Sequence, residues 1–124
     1  MLAEHPLVAF VLVTDPTRAR AFYEGTLGLR FLAQDDYAVV FDAKGVSLRL
    51  TIMPNHKPAQ HTVLGWNVPD IAAAARHLME AGIRFEKYSF LPQDDLGIWT
   101  APDAVSKVAW FKDPDGNILS ISQH

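Results

Sequence analysis

The side chains able to do chemistry are few in this chain, and their spacing narrows what they can do. There is no cysteine, so a thiolate nucleophile, a thiolate metal site and a disulfide are excluded. His56 and His61 stand five residues apart around Pro58. Paired imidazoles can bind a metal or relay a proton, but no further ligand follows at ligand spacing, and the two read as surface histidines. Asp94 and Asp95, behind Gln93, read as a solvated turn; the functional alternative is the acidic edge of a lid. Asp113 and Asp115 sit in Asp113-Pro114-Asp115-Gly116-Asn117, a turn-forming run. Arg49 differs from these. In Val46 to Met53, Ser47, Arg49 and Thr51 alternate with Leu48, Leu50 and Ile52. A guanidinium halfway along a strand needs a partner, either a protein carboxylate at the rim or an anionic group of a ligand. Trp66, Trp99 and Trp110 offer faces that suit flat or cationic ligands, although core or dimer packing is their ordinary use. No Gly-rich phosphate loop and no Ser-His-Asp arrangement is present.

The elements that must position these residues follow from period and punctuation. Leu7 to Val13 is short and β-branched, a buried strand. Asp15 caps a helix with Pro16 in its first position, and Ala19, Phe22, Tyr23 and Leu27 form its apolar face. Gly25 and Gly28 close it, and Gly28-Leu29-Arg30-Phe31 opens a strand to about Gln34. Asp35-Asp36 is a turn, Tyr37 to Phe41 a strand, Asp42 to Gly45 a hairpin turn, and Val46 to Met53 a fourth strand. Residues 54–60 have no hydrophobic period and read as a linker. The order then recurs: a strand over His61 to Val68, a helix capped by Asp70 with Ile71, Ala74, Ala75 and Leu78 on its apolar face, and Gly82-Ile83-Arg84-Phe85 opening the next strand. Gly97 to Thr100, Lys107 to Lys112 and Ile118 to Ser122 complete the second half. The capping aspartates are 55 residues apart and the Gly-x-Arg-Phe pieces 54 apart, an internal duplication.

The totals bound the rest. At 124 residues, 49% hydrophobic and 20% charged, the chain suits one soluble domain with a sizeable core. A net charge of −3 with scattered Lys and Arg gives no support to nucleic-acid binding. The longest apolar run, Leu7 to Val13, is far short of the roughly 20 residues of a membrane helix. Met1 to Pro6 does not read as a secretory signal, so the expected location is cytoplasmic.

Three pieces carry a family resemblance: Asp15 with Ala21-Phe22-Tyr23 and Leu27-Gly28-Leu29, the run Phe111 to Asn117, and the paired module itself. In their order and spacing, over nearly the whole chain, they resemble the vicinal oxygen chelate superfamily, which includes glyoxalase I, extradiol dioxygenases and bleomycin-binding proteins. The resemblance implies an α+β fold of two βαβββ modules forming a cupped, open, barrel-like mixed sheet with the helices outside. It implies one domain over residues 1–124, with pseudo-repeats at about 6–55 and 61–123 joined by the linker 54–60.

Many members of that superfamily bind a divalent metal through residues of the first and fourth strands of each module. Those positions fall here on Val8, Arg49, Leu64 and Ser120, which make no ligand set for a transition metal. Arg49 would repel the ion. A slip in alignment does not restore the site, because those strands offer only His61, which alternation points away from Leu64. No metal and no other cofactor is therefore expected. Alternation then puts Phe10, Ser47, Arg49, Thr51, Trp66, Ser120 and Ser122 in the implied cavity, a mostly apolar cup with hydroxyls and one cation. The expected function is metal-free binding or sequestration of a small aromatic or anionic molecule by a homodimer. Two alternatives stand beside it. One is a lyase, isomerase or oxygenase with Arg49 as electrostatic stabiliser and Asp94 as base. The other is a structural or regulatory partner domain with a filled cavity.

Overall fold

The computed structural model describes residues 1–124. It divides into two compact units, Met1–Pro58 and Ala59–His124, with the boundary inside the expected linker. After a short 3-10 turn at Leu2–Glu4, the first unit runs β1 (Val8–Val13), α1 (Pro16–Arg20), β2 (Arg30–Gln34), β3 (Ala38–Ala43) and β4 (Val46–Ile52). The second runs β5 (Thr62–Asn67), α2 (Ile71–Glu80), β6 (Trp99–Thr100), β7 (Lys107–Lys112) and β8 (Ile118–Gln123). Each unit is one four-stranded mixed sheet, ordered β1-β4-β3-β2 in the first and β5-β8-β7-β6 in the second. The outer pairs β1–β4 and β5–β8 are parallel, the remaining pairs antiparallel, and neither sheet closes on itself. The architecture is the expected α+β pair of βαβββ modules. No helix is long and apolar enough to cross a membrane.

Local chemistry explains the element ends. Asp15 Oδ1 accepts from the backbone N–H groups of Thr17 and Arg18, and Asp70 Oδ1 from that of Ala73, so both aspartates cap as expected. Helical structure continues past α1 as π-type turns over Ala21–Thr26. Gly25 lies inside this segment instead of closing it; Gly28, at φ 76°, makes the exit. The turn at Asp113 is the most tightly tied. Its Oδ1 accepts from the N–H groups of Asp115 and Asn117, each at 2.9 Å, and its Oδ2 from Asn117 Nδ2 at 2.8 Å, in a buried setting.

In each unit the helix covers one sheet face. Packing of α1 against β3 and β4 buries Ala19 with Val11, Val13, Val39, Phe41, Leu48 and Leu50, and Tyr23, from the π-type turns that follow, is buried 6.2 Å from Phe41. Packing of α2 against β7 and β8 buries Ile71 and Ala75 with Ala109, Phe111, Leu119 and Ile121. The strand expected to open at Gly82 does not form. Ile83 and Phe85 drop into the core, with Phe85 edge-on to Phe111 at 5.8 Å, and Glu86 N–H reaches Trp110 O. The chain satisfies this stretch through packing and isolated bonds, and ladder pairing begins only at β6.

One close approach fixes the second sheet. A Cβ at Gly65 would lie 2.5 Å from Ser120 Oγ on the neighbouring strand, so a side chain at this position of β5 requires the Ser120 hydroxyl to shift. Gly65→Ala is expected to cost about 1–3 kcal/mol through overpacking. Gly65→Ala combined with Ser120→Ala should recover most of that loss, because the clashing oxygen is gone. Chemical denaturation of the two single variants and the double variant measures the coupling; simple additivity would show that the clash is not the cause.

Candidate functional site

Strand pairing assigns the expected site residues to faces. On the first sheet Val8, Phe10 and Leu12 lie beside Ser47, Arg49 and Thr51 respectively. Val40 flanks Arg49 from the other side. All of these occupy the face that α1 does not cover. Val8, Phe10 and Leu12 are 42%, 62% and 37% exposed, whereas Val11 and Val13 between and beyond them are buried. The uncovered face is therefore an apolar sheet surface with Arg49 near its centre and hydroxyls on either side along β4.

Arg49 is half-buried and makes no ion pair or side-chain hydrogen bond. Arg20 shows the contrast: its guanidinium lies 3.5 Å from the Phe31 ring centre, and its Nε is 2.9 Å from Glu24. The carboxylate nearest in effect to Arg49 is Asp35. The backbone N–H groups of Tyr37 and Ala38 hold the Asp35 carboxyl below its ordinary value, and the charge of Arg49 adds the smallest pull. Asp35 is thus engaged by its own turn, and Arg49 remains available.

The second sheet corrects one expectation. A register shift between Thr62 and Leu64 pairs Leu64 with Leu119, Gly65 with Ser120 and Trp66 with Ile121. Trp66 and Leu64 therefore share the helix-covered face with Leu119 and Ile121, and the opposite face carries Ser120 and Ser122. Val8 stands seven residues before Asp15 and Leu64 only six before Asp70, so alternation taken from Leu64 names the packed face. The uncovered face instead holds Trp110 opposite Ser120, and Val108 between Ser122 and Trp99. Trp110 and Trp99 are 6.2 Å apart, Trp110 meets Tyr88 edge-on at 5.7 Å, and Tyr88 lies 5.6 Å from Phe90. Of these four rings none was among the expected site residues. A signal existed for Trp110: the Asp113–Asn117 hairpin fixes Lys112 against Ile118, and counting back puts Trp110 against Ser120.

The superfamily's metal positions do not fit a metal in this chain. Val8 and Leu64 have no donor, Arg49 is cationic, and Ser120 lies against Gly65. No three His, Asp or Glu side chains gather anywhere in a group able to hold an ion. Asp94, the conceivable base, has Oδ1 bound to the N–H groups of Leu96 and Ile98. Two recesses of about 400 and 370 Å³ open on the second unit. Asp94 borders the first, and none of the expected ligand-binding residues lines either one.

The sequence profile described as Glyoxalase/Bleomycin resistance protein/Dioxygenase superfamily matches residues 5–121. No curated protein matches the chain. Among solved structures, TnmS3, an antibiotic binding protein from Streptomyces sp. CB03234, is similar at 26% identity and TM-score 0.71, covering 96% of this chain and 94% of its own. A glyoxalase/bleomycin resistance protein, also from Streptomyces sp. CB03234, is similar at 25% identity and TM-score 0.68, covering 96% and 100%. A glyoxalase/bleomycin resistance protein/dioxygenase from Alicyclobacillus acidocaldarius shares the fold at 15% identity and TM-score 0.72, covering 97% and 91%.

The availability of Arg49 has a direct check. Asp35 should titrate below 3.8, and in Arg49→Ala it should stay there, because the Tyr37 and Ala38 N–H groups are the main cause. With the folded value lowered, the turn's stabilising contribution is present above the unfolded value and lost as pH falls through the folded one. Carboxyl NMR titration reads both variants. A return of Asp35 to its ordinary value in Arg49→Ala would show that the two side chains are paired.

Proposed function

Because the chain belongs to the Glyoxalase/Bleomycin resistance protein/Dioxygenase superfamily, we propose that it binds a small organic anion on the uncovered face of its first sheet, without a metal at the superfamily's ligand positions. The observation that carries this reading is Arg49, a cation without an ion pair or side-chain hydrogen bond, set among Phe10, Val40, Val8 and Leu12. Its planar fork matches a carboxylate in two parallel hydrogen bonds, and the half-buried apolar surroundings strengthen them relative to open water. Ser47 and Thr51 supply hydroxyls on the same face, and Phe10 offers a ring to the ligand's apolar part. The likeness to an antibiotic binding protein at 26% identity favours binding over turnover. Asp94, tied into its own turn, does not favour the catalytic alternative.

The working form in this reading is a homodimer. Met1, Leu2 and Leu7 are apolar and largely exposed, an arrangement that a second copy would cover.

Thermal-shift screening of aromatic carboxylates, aldehydes and planar drugs finds the ligand class, and calorimetric titration of the hits tests the residue. Arg49→Ala should weaken a carboxylate ligand at least about tenfold, equivalent to about 1.4 kcal/mol. Arg49→Lys should recover part of the loss, since it keeps the charge and loses the fork. Equal affinity for wild type and Arg49→Ala removes Arg49 from the site. Stoichiometric Zn, Ni or Mn in the purified protein overturns the metal-free part.

A further inference from the structure

The helix-covered face of the second sheet ends in a polar row. Thr100 pairs with Lys107, and Lys107 with Gln123, so a hydroxyl, an ammonium and an amide stand side by side across β6, β7 and β8. Cross-strand partners share a face, and one step further along that face lie Ala109 and Ile121, both buried. The row is therefore the last layer of the packed face, set where α2 begins. Gln123 marks the junction, because its Oε1 accepts from the N–H of Ile71 at 2.9 Å.

A recess of about 400 Å³ opens at this junction. All three residues of the row line it, with apolar Ile71, Ala72 and Ile98 and with Asp70 and Asp94. Trp99, Val108 and Ser122 make the neighbouring row and point to the uncovered face, so the sheet itself stands between that face and the recess. Arg49 belongs to the other unit.

The groups bordering the recess have unspent capacity. Lys107 is half-buried and makes no ion pair or side-chain hydrogen bond. Gln123 uses its oxygen on Ile71 and keeps both amide hydrogens. Asp94 uses Oδ1 on the N–H groups of Leu96 and Ile98, and Asp70 uses Oδ1 on that of Ala73, which leaves the second oxygen of each open. Lys87 Nζ donates to the Asp94 carbonyl at 2.6 Å and not to its carboxylate. One cation and two anions thus share a recess without pairing with each other. The helix end is not the source of this chemistry, since Gln123 and Asp70 already occupy the N–H groups of Ile71 and Ala73.

Opposite charges that border one space and leave it open are complementary to a molecule carrying both signs. A carboxylate suits Lys107 Nζ and Gln123 Nε2, an ammonium suits the open aspartate oxygens, and the isoleucines suit a short apolar side chain. We propose that this recess binds a small zwitterion, a free amino acid with an apolar side chain. The site is independent of the anion reading for Arg49.

The test titrates the full chain with L-valine, with isovalerate, which lacks the ammonium, and with L-valinamide, which lacks the carboxylate, reading backbone amide shifts by NMR. L-valine should bind at least about fivefold more tightly than either truncated probe. Its shifts should fall at Thr100, Lys107 and Gln123 and leave β1 and β4 unmoved. Lys107→Met, which keeps the apolar stem, should weaken L-valine about tenfold or more. Asp94→Asn, which keeps an oxygen for the turn, should weaken L-valine about threefold or more and should not weaken isovalerate. Arg49→Ala should leave L-valine within about twofold of wild type, since Arg49 lies in the other unit. No saturable binding of L-valine, equal binding of either truncated probe, or unchanged affinity in Lys107→Met overturns the proposal, as does loss of L-valine in Arg49→Ala. Failure of aromatic carboxylates to depend on Arg49 bears only on the first sheet.

Discussion

Each four-stranded sheet has a single helix to cover it, and that shortage governs the rest of the structure. A pleated sheet has two faces and alternates its side chains between them. One helix can bury only one face, so every second residue of each strand is left without helix packing. On the covered side the chain uses the expected remedy, large apolar side chains at near-zero exposure. On the other side it keeps apolar residues at positions such as Phe10 and Val8, where solvation alone would favour polar ones. That retention makes the uncovered faces chemically notable, and both the arginine face and the ring row lie on them.

The two faces solve different problems. The first sets one cation without an ion pair among apolar neighbours, so what it offers an anion is directional and electrostatic. The second carries rings tied to the sheet by the Gln93 amide, so its surface is mainly apolar area. Gly65 matters to the second in an indirect way. By having no side chain it leaves room for the Ser120 hydroxyl, which alternation along β8 puts on the face of Trp110.

Much of this was legible from residue order. Asp15 and Asp70 announce helix starts because only a short side-chain acceptor satisfies free N–H groups there. Asp42 to Gly45 and Asp113 to Asn117 announce hairpins because their side chains bond their own turns, and those turns fix the registers of β3 with β4 and β7 with β8. Alternation in β4 correctly put Ser47, Arg49 and Thr51 on one face. In β5 it was started one residue out of step, since Leu64 lies six residues before its cap where Val8 lies seven before its own, and Trp66 went to the wrong face. The segment 82–98 failed for another reason: it is held by Gln93 and by three buried side chains, Ile83, Phe85 and Ile98, whose spacing has no period to detect.

The helix caps also show how the two halves have diverged. A tandem copy begins with interchangeable halves, each position in one having a counterpart in the other. Counted back from Asp15 and Asp70, Phe10 corresponds to Gly65 and Leu12 to Asn67. Strand pairing keeps that correspondence, with Phe10 beside Arg49 and Gly65 beside Ser120. The faces therefore differ by the side chains at matched positions and not by register. One scaffold position is weighed against solvent or ligand where it carries a ring, and against close approach of the neighbouring strand where it carries none.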